Sequence, residues 1–598
     1  MASRSGGNRH RFCLVLAALA GLVLALPAGA QSQPGQDGVD ASTLAPPYAI
    51  ESGQLAPLAP VEGGQLAPIP GTTDAAPLRQ TEASPPVAGF GPGLWQGLTA
   101  PEAAVLAVKA EIPLHSPVLA GLWRRLMLSE EEPAGGQPGQ FFALRLDGLY
   151  RAGLLKDATA LLARAPKPAD PQQTASGARV LMGLGDDARA CNAVKTIPLS
   201  GGPLKGRIRN DALLMVAYCA ARDKQPNHAS LAAEVLRDQN FAEPLALAVL
   251  DSIAESKTPK LPRTDNLTLI DYKFMSLLGK VPVERVLPRA TPDLMVAIAN
   301  DPSAEASTRV AAGEAAVRIN ALDEADLAGL YRTVAVPAAP AAANAGLQRA
   351  GLFQAAETEQ TPNRRAALVH QLLDLARRDG LLMPVARAIA PLTDQLRETP
   401  DLAGFTETAI ETLLAAGKYD HAVGWTLFGG TEAGPGGNPL LHWMTLIDIA
   451  DAEGHVPHGS SLQYAEDLAA GGALSPIMLQ RLATVLAALQ YEIPAPIAQG
   501  SQNVAKADQG KPPEPSLLPR LQEAATKKAI GKTVLLAIAT MGPGPATSVH
   551  PQALGETIHA LAAAGLEADA RRLAFEALYD AWPRRAGLGL APAPPNSN

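Results

Sequence analysis

The sequence of 598 residues lacks long apolar runs, is poor in aromatic residues and has no excess of positive charge. After residue 30, no charge-free apolar stretch reaches the about 20 residues that span a bilayer, so we expect no integral membrane segment. Aromatic residues make up only 4% of the chain, whereas β-strands are enriched in aromatic and β-branched residues. The net charge of −8 argues against nucleic acid and anionic lipid as partners.

Several catalytic motifs are also missing. The sequence contains no Gly-x-Ser-x-Gly elbow that would seat a serine nucleophile. Gly531-Lys532-Thr533 is not a phosphate-binding loop, because Thr526 stands where that motif needs its first glycine. Muramidases of the lytic transglycosylase kind carry a catalytic Glu-Ser in a compact lobe, but no such lobe follows Glu255-Ser256 here. We therefore predict no catalytic residue and no cofactor.

One histidine pair, His455 and His458, has a spacing that could serve a metal ion. Pro457 disrupts the regular helix that would bring the two imidazoles together, and no further histidine or cysteine cluster lies close in the sequence. We therefore predict a structural or surface role for this pair and no metal site.

The first thirty residues have the pattern of a secretory signal peptide. A basic segment opens the chain and contains Arg4, Arg9 and Arg11. The apolar run Phe12–Leu26 follows, and Ala28 and Ala30 then form an A-x-A cleavage site before Gln31. We therefore assign residues 1–30 to a signal peptide and expect an exported, soluble protein of the periplasm.

Two cysteines remain after this cleavage, Cys191 and Cys219. Disulfides persist in oxidising compartments, so an isolated pair in an exported protein favours a bridge. The chain-entropy description gives such a bridge about 3–4 kcal/mol for a loop of this length. The alternative is two small buried thiols in neighbouring helices.

Residues 31–92 form a low-complexity leader that is rich in proline, glycine, alanine and glutamine. The tripeptide Leu-Ala-Pro recurs there, beginning at Leu44, Leu55 and Leu66. Because proline at this density blocks helices and sheets, we expect a disordered or polyproline-like segment. The leader could serve as a tether, and its repeats could alternatively dock on a partner.

From Leu94 onward the pattern is helical, and residues 361–380 show it well. Thr361 suits the helix cap, Pro362 suits the first helical position and Gly380 suits the end. Apolar residues recur with the helical period in between, at Leu368, Leu372, Leu375 and Ala376. This periodicity predicts an all-α protein.

A Gly-x-x-x-x-Ala pattern recurs at the joins between helices. Its four copies are Gly153/Ala158, Gly185/Ala190, Gly417/Ala422 and Gly565/Ala570. The glycine would end one helix in a left-handed conformation, and the alanine would let the next helix approach closely. This step resembles the helical hairpins of tetratricopeptide and Sel1-like repeats. The resemblance implies an irregular α-solenoid of stacked hairpins.

Composition divides the chain after the leader into four parts. We predict a helical repeat array over 93–492, a linker over 493–515, a C-terminal helical segment over 516–584 and a disordered tail over 585–598. The linker and the tail are both rich in proline, which interrupts helices.

Paired arginines occur within the helical patterns. They are Arg124-Arg125, Arg364-Arg365, Arg377-Arg378 and Arg571-Arg572. Acidic residues accompany each pair, so we interpret them as solvated polar helix faces and not as a nucleic-acid-binding surface.

Three stretches resemble a little-characterised group of exported helical-repeat proteins from alphaproteobacteria, some of which are labelled antifreeze glycopeptide-like. They are Leu122–Ser129, Tyr218–Arg222 and Ala232–Asp238. The chain lacks the Ala-Ala-Thr repeats that this label would require. The resemblance therefore implies an exported helical array and adds no activity.

These observations lead to one functional hypothesis and one alternative. The hypothesis is a non-enzymatic periplasmic scaffold that binds a protein or peptide partner of the cell envelope on a concave helical surface. The alternative is an envelope enzyme that acts on cell-wall polymer through a carboxylate site. The sequence does not indicate an oligomeric state.

Overall fold

The structure is a computed structural model. It describes residues 89–584, apart from 137–138, 166–170, 198–203, 205, 239–242, 256, 259, 280, 282, 338–343, 432–436 and 506–508. The predicted signal peptide with Ala28, Ala30 and Gln31, the leader up to residue 88 and the predicted tail lie outside these residues.

The described residues form helices throughout. The first group is α1 (Ala100–Lys109), α2 (Pro117–Leu128), α3 (Gln140–Arg151), α4 (Leu155–Ala163), α5 (Pro171–Gly183), α6 (Asp187–Val194), α7 (Gly206–Arg222), α8 (Pro226–Asp238), α9 (Pro244–Glu255), α10 (Leu269–Ser276), α11 (Val283–Val286), α12 (Pro292–Asn300), α13 (Ala306–Arg318) and α14 (Glu324–Thr333). The second group is α15 (Ala345–Thr358), α16 (Pro362–Arg378), α17 (Leu382–Thr393), α18 (Thr406–Ala415), α19 (Tyr419–Thr431), α20 (Trp443–Ala450), α21 (His458–Ala470), α22 (Pro476–Ala488), α23 (Ala495–Gly500), α24 (Leu517–Thr526), α25 (Ile530–Met541), α26 (Pro551–Ala563) and α27 (Glu567–Tyr579). Short 3-10 helices cover Leu287–Arg289, Pro400–Phe405, Ser501–Asn503 and Ala546–Ser548.

The all-α prediction is confirmed for this part of the chain. Extended pairing within the described ranges is limited to two isolated β-bridges, Thr99 with Ala134 and Leu267 with Ala290. Among the same residues, no helix combines the length and the apolar content that crossing a bilayer requires.

The repeated glycine pattern marks real helix ends. All four glycines have a left-handed backbone, with φ between 76° at Gly417 and 91° at Gly565. At the first of them, the Gly153 amide donates to the Tyr150 carbonyl and the next amide donates to Leu149. This is the Schellman arrangement, which satisfies carbonyls that the helix end would otherwise leave unpaired. All four alanines of the pattern are fully buried, namely Ala158, Ala190, Ala422 and Ala570.

Each turn of this kind joins two helices that pack against each other, such as α3 with α4, α5 with α6, α18 with α19 and α26 with α27. Helices two positions apart in the chain also pack, as in α3 with α5, α5 with α7 and α13 with α15. Neighbouring hairpins therefore cover one another's apolar faces, and the buried apolar side chains form one continuous core.

The disulfide prediction is confirmed. Cys191 in α6 and Cys219 in α7 are bonded, and their Cα atoms are 5.6 Å apart. Both residues are buried against the core. The bridge therefore fastens two consecutive helices that already pack together.

The first described helices contact the last ones. Helix α1 packs against α25, and α2 packs against both α25 and α27. The Glu576 carboxylate accepts a hydrogen bond from the Ser116 hydroxyl at 2.6 Å and another from the Val118 amide at 2.7 Å. Arg125 forms a 2.6 Å ion pair with Asp569. Residues far apart in the sequence thus share one packed region.

The range predicted as a linker, 493–515, contains α23, which packs against α21 and α22. Ile497 of this helix is fully buried. The following helices α24 and α25 pack against α26, and α26 packs against α22. These contacts connect the C-terminal helices to the helices that precede residue 493.

Candidate functional site

Two concave sites stand out on the described surface. The first, which we name the apolar groove, has a volume of about 350 Å³. It is lined by Ala100, Ala104, Gln140, Phe141, Ala143, Leu144, Asp147, Gln172 and Ile208. These residues come from α1, α3, α5 and α7, so the groove lies where four helices meet.

Side-chain size explains the open space. Helix α1 contributes only alanines, Ala100 and Ala104, which are one helical turn apart and leave room above their methyl groups. Phe141 forms the floor, and its ring meets Trp95 edge-on with centroids 4.9 Å apart. The edges carry the amides of Gln140 and Gln172, both exposed. The result is an apolar floor with hydrogen-bonding groups at its margins.

The one carboxylate in this groove, Asp147, is already paired. Its oxygens lie 3.1 Å from Arg151 Nε and 3.5 Å from Arg179 Nη1. Arg179 is buried, lies over the Tyr150 ring and pairs with Asp211. Burial alone would lower the pKa of Arg179, but the surrounding Tyr150, Asp211 and Asp147 raise it overall. The arginine therefore stays charged, and Asp147 serves as its counter-ion.

An exposed apolar strip adjoins the groove. Val105 and Val108 on α1 have 57% and 65% of their surface exposed. Val108 follows Ala104 by one helical turn and therefore lies beside the groove, and Val105 lies next to Val108, three residues before it. Isolated exposed apolar residues are common, but two on one turn next to an open apolar groove are typical of an interaction surface.

The second site, which we name the histidine cleft, is polar and has a volume of about 390 Å³. It is lined by Gly417, Lys418, Tyr419, Asp420, His421, Ala450, Asp451, Ala452, Glu453, His455, Ala568 and Arg572. The residues belong to the start of α19, the loop after α20 and the first turns of α27.

His455 lies at the centre of this cleft and bridges two carboxylates. Its Nδ1 is 2.7 Å from Asp451, and its Nε2 is 2.8 Å from Asp420. A neutral imidazole has one N–H, so two carboxylate partners require the doubly protonated form. The hydrogen bond to Asp451, helped by the charges of Asp420 and Glu453, raises the pKa of His455.

His458 has a carboxylate of its own. Its Nδ1 lies 2.5 Å from Asp448, which is completely buried and also accepts from the Ser461 hydroxyl at 2.6 Å. The serine therefore bonds the aspartate and not the histidine, so the three residues do not form a nucleophilic triad. In the described ranges, no cluster of three or more histidine, cysteine, aspartate or glutamate residues could hold a metal ion.

The other predicted features are structural. Gly531 lies in the first turn of α25 and donates its amide to the Leu94 carbonyl at 2.9 Å, while Thr533 donates its hydroxyl to the Ala529 carbonyl. Cys191 and Cys219 are both consumed by the disulfide. Glu255 is exposed and pairs with Lys257.

The interpretation of the paired arginines as solvated faces is wrong for two of the pairs. Arg124 makes a two-point contact with Asp157, at 2.6 and 2.8 Å, from a partly buried position. Arg571 and Arg572 donate to carbonyls near the ends of α20 and α18, at Asp448 and Ala415. A cation is favoured at a helix C-terminus, where the carbonyls carry partial negative charge. These arginines join helices to one another.

Sequence reasoning missed the apolar groove and the strip beside it. The available signal lies within α1, where Ala103, Leu106 and Ala107 already form a buried face. Val105 and Val108 fall off that face, so they could have been identified as surplus apolar residues. The groove itself depends on contacts with α3, α5 and α7, which the sequence does not specify.

No protein-family model, curated protein or solved structure matches this chain.

Proposed function

We propose that this chain is an exported, non-enzymatic scaffold of the periplasm that binds a protein or peptide partner of the cell envelope. Its helical hairpins would form an irregular α-solenoid, similar to the tetratricopeptide type, and residues 31–92 would be a disordered tether. The signal-peptide pattern of residues 1–30 supports export. The packing of successive hairpins and of helices two positions apart supports the solenoid.

The apolar groove beside Val105 and Val108 is the observation that carries the binding function. Exposed apolar surface of this kind is costly in water, and each fully covered valine would gain about 1.5 kcal/mol or more. The amides of Gln140 and Gln172 at the edges can donate to and accept from the main chain of a bound segment. An apolar floor with polar margins is the usual composition of a peptide site.

Site-specific photocrosslinking tests this function in the intact exported protein. A benzophenone amino acid at position 108 should capture one predominant envelope protein, which mass spectrometry of the crosslink identifies. The same group at Leu231, which is exposed to a similar degree (58%) but lies on α8, is the matched control. Equal capture at both positions, or none at position 108, would argue against a partner at the groove.

Export has a separate test. The mature protein should be released by osmotic shock, and its N-terminal residue should be Gln31. Retention of the first thirty residues, or recovery with the cytoplasmic fraction, would rule out the proposed compartment while leaving the groove as a binding site.

A further inference from the structure

A group of cations lies on α24, on α25 and at the turn between them. It consists of Arg520, Lys527, Lys528 and Lys532, and we name it the cationic rim. Acidic residues outnumber basic ones over the whole chain, 58 to 50, so this local excess runs against the general charge. Lys527 pairs with Glu523 at 2.5 Å. Among the described residues, the other three cations have no carboxylate partner within ion-pair distance.

The turn holds one of these cations in an unusual conformation. Lys528 has φ of 52°, a left-handed backbone that costs a residue with a side chain about 1 kcal/mol or more relative to glycine. Its amide donates to the Ala525 carbonyl and the Ala529 amide donates to Ala524, as in the glycine turns of this protein. An exposed lysine thus stands at a position that favours glycine.

The cationic rim adjoins the exposed strip of α1. Helix α1 packs against α25, and the Gly531 amide donates to the Leu94 carbonyl just before α1. Glu102 of α1 lies within electrostatic reach of Lys532 and Arg520. Val105 follows Glu102 by three residues and therefore lies next to it on the same helical face. The valines are thus bordered by the apolar groove on one side and by cations on the other.

Glu102, which lies between the valines and the cations, does not cancel the positive charge of the cationic rim. Glu102 accepts hydrogen bonds from the Thr99 amide at 3.0 Å and the Thr99 hydroxyl at 2.9 Å. It completes the capping box at the start of α1. Glu102 stays charged and is attracted to Lys532 and Arg520, as Glu523 is to Lys527 and Lys532, so four cations face two carboxylates and the rim keeps a net positive charge.

We propose that the apolar groove, the strip of Val105 and Val108, and the cationic rim form one docking surface for an acidic amphipathic segment of a partner protein. This inference rests on the proposed function and specifies the chemistry of the partner. Apolar side chains of the segment would enter the groove and cover the valines. Its carboxylates would face Arg520, Lys528 and Lys532, because a basic or neutral segment would leave these cations without counter-charges.

An anionic bilayer is a less suitable occupant than a protein segment. Interfacial binding relies on bulky apolar side chains and a strongly basic face, whereas this strip offers two valines on a chain of net charge −8. A groove of about 350 Å³ also suits a few discrete side chains better than a lipid surface.

The test uses the mature, disulfide-bonded chain and three labelled synthetic helical peptides of equal length. The first has leucines on one face and glutamates on the other, the second replaces the glutamates with lysines, and the third replaces the leucines with glutamines. Fluorescence anisotropy should show at least tenfold tighter binding of the first peptide than of either other. Its affinity should fall with rising salt, because carboxylates and cations meet at an exposed surface.

Two double variants locate the contact. The double variant Arg520→Glu/Lys532→Glu should bind the acidic peptide at least tenfold more weakly and with a smaller salt dependence. The double variant Val105→Ser/Val108→Ser should also bind it more weakly, but with an unchanged salt dependence. Matched controls are Lys257→Glu and Leu231→Ser, which change an exposed cation and an exposed leucine elsewhere. These should leave binding unchanged. Circular dichroism confirms that all variants remain folded.

Several outcomes would overturn the inference. They are equal binding of the glutamate and lysine peptides, equal loss in the control variants, self-association through the valines, and binding only to vesicles containing phosphatidylglycerol. If the crosslink at position 108 captures a partner through a basic or neutral segment, the scaffold function stands and the acidic character is wrong. If neither a crosslink nor any peptide binding is found, both proposals fail.

Discussion

Glu576 shows how burial sets the chemistry of a single residue in this protein. Its carboxyl is only 5% exposed, and burial raises its pKa to about 7, although Ser116 and Arg387 act in the opposite direction. The same carboxylate accepts from the Val118 amide in the first turn of α2. It therefore serves as an N-terminal cap that is supplied by a distant helix, α27.

Replacing this residue should flatten the pH dependence of stability. Between about pH 4.5 and 7 the folded protein keeps the Glu576 proton that the unfolded chain has released, so stability falls as pH rises through that window. Glu576→Gln removes the titration, so its free energy of unfolding should rise by about 3 kcal/mol relative to that of the wild type as pH increases from 4.5 to 8. Urea unfolding at each pH measures this difference.

The control for the loss of one exposed carboxylate is Glu492→Gln, carried through the same pH series. A Glu576→Gln curve that runs parallel to wild type would show that the Glu576 carboxyl titrates in the folded protein as it does in the unfolded chain.

His455 should respond to pH in a window of its own. Its pKa is raised above 6.5 by the bond to Asp451 and by Asp420, so its contribution to stability is fully present below about pH 6.5 and is lost as pH rises through the higher folded value. Asp420→Asn should lower this pKa, because an amide does not stabilise the imidazolium as a carboxylate does. NMR of the imidazole Cε1 protons measures the titration. An unchanged midpoint in Asp420→Asn would contradict the bridging geometry.

At the scale of single elements, the turns were the most predictable feature. Glycine with alanine five residues later identified four helix joins because only glycine adopts the left-handed conformation without cost. The same turn also occurs with Lys224, Asn320, Gln490 and Lys528, all at positive φ. Asparagine adopts this conformation more readily than other residues with a side chain, whereas nothing in lysine or glutamine signals it.

Helix α16 shows how far periodicity can be trusted. It spans Pro362–Arg378, as predicted, although the Thr361 side chain makes no capping hydrogen bond. The predicted stripe is only half right, because Leu372 and Ala376 are buried while Leu368 and Leu375 are partly exposed. Val369 and Leu373 complete the true buried face. A helix with apolar residues on adjacent rows does not reveal which row its neighbours will cover.

Two glycine turns allow backbone strain and packing to be separated. At Gly185, φ is 82° and no atom lies within 4 Å of an added Cβ, so Gly185→Ala should cost only the left-handed penalty of about 1 kcal/mol. At Gly153, an added Cβ would approach Ala321 Cβ to 2.7 Å and the Pro292 main chain to 3.0 Å. Gly153→Ala should therefore cost about 1–3 kcal/mol more.

Urea unfolding of the two variants measures this difference directly. Equal losses would mean that the region around Pro292 and Ala321 relaxes without cost. A larger loss for Gly185→Ala would mean that the contacts of Gly153 are not those of the folded protein in solution.

The disulfide acts on one pair of elements, α6 and α7. Closing the loop between Cys191 and Cys219 should stabilise the protein by about 3–4 kcal/mol through the unfolded chain. The double variant Cys191→Ala/Cys219→Ala should lose about that much in urea unfolding under oxidising conditions. When the unfolded proteins are equilibrated with reductant, the bridge of the wild type opens. The urea midpoints of the wild type and the double variant should then converge. Mass spectrometry under non-reducing conditions checks the bridge, and two free thiols in the purified protein would refute it.

At the scale of the whole described region, the long-range contacts were beyond the sequence. The charges of Arg125 and Asp569 reveal nothing about their pairing across 444 positions. Likewise, the apolar groove depends on small side chains in α1 meeting three other helices. Local periodicity predicts that a helix has an apolar side to bury, but the row that is covered and the partner that covers it depend on the shapes of all the elements together.

A charge exchange tests whether α2 and α27 meet in solution. Arg125 and Asp569 are about four-fifths buried and 2.6 Å apart, so Arg125→Glu should place two carboxylates together and cost about 1–2 kcal/mol. Asp569→Arg in the same chain should recover part of this loss. Recovery stays incomplete because Arg125 also lies 4.6 Å above the Phe90 ring. The recovered free energy is the coupling energy of a double-mutant cycle, measured by urea unfolding.

The exposed pair Glu523 and Lys527, four residues apart at the end of α24, is the control for this cycle. Its exchange should give a coupling of a few tenths of a kcal/mol, as expected for a solvated pair. If the Arg125 and Asp569 effects simply add, the two residues do not face each other, and the contact between the first and last helices is not formed. If they couple, loosening α27 should also weaken the proposed docking surface, because α27 packs against α2, α2 packs against α25, and α25 packs against α1.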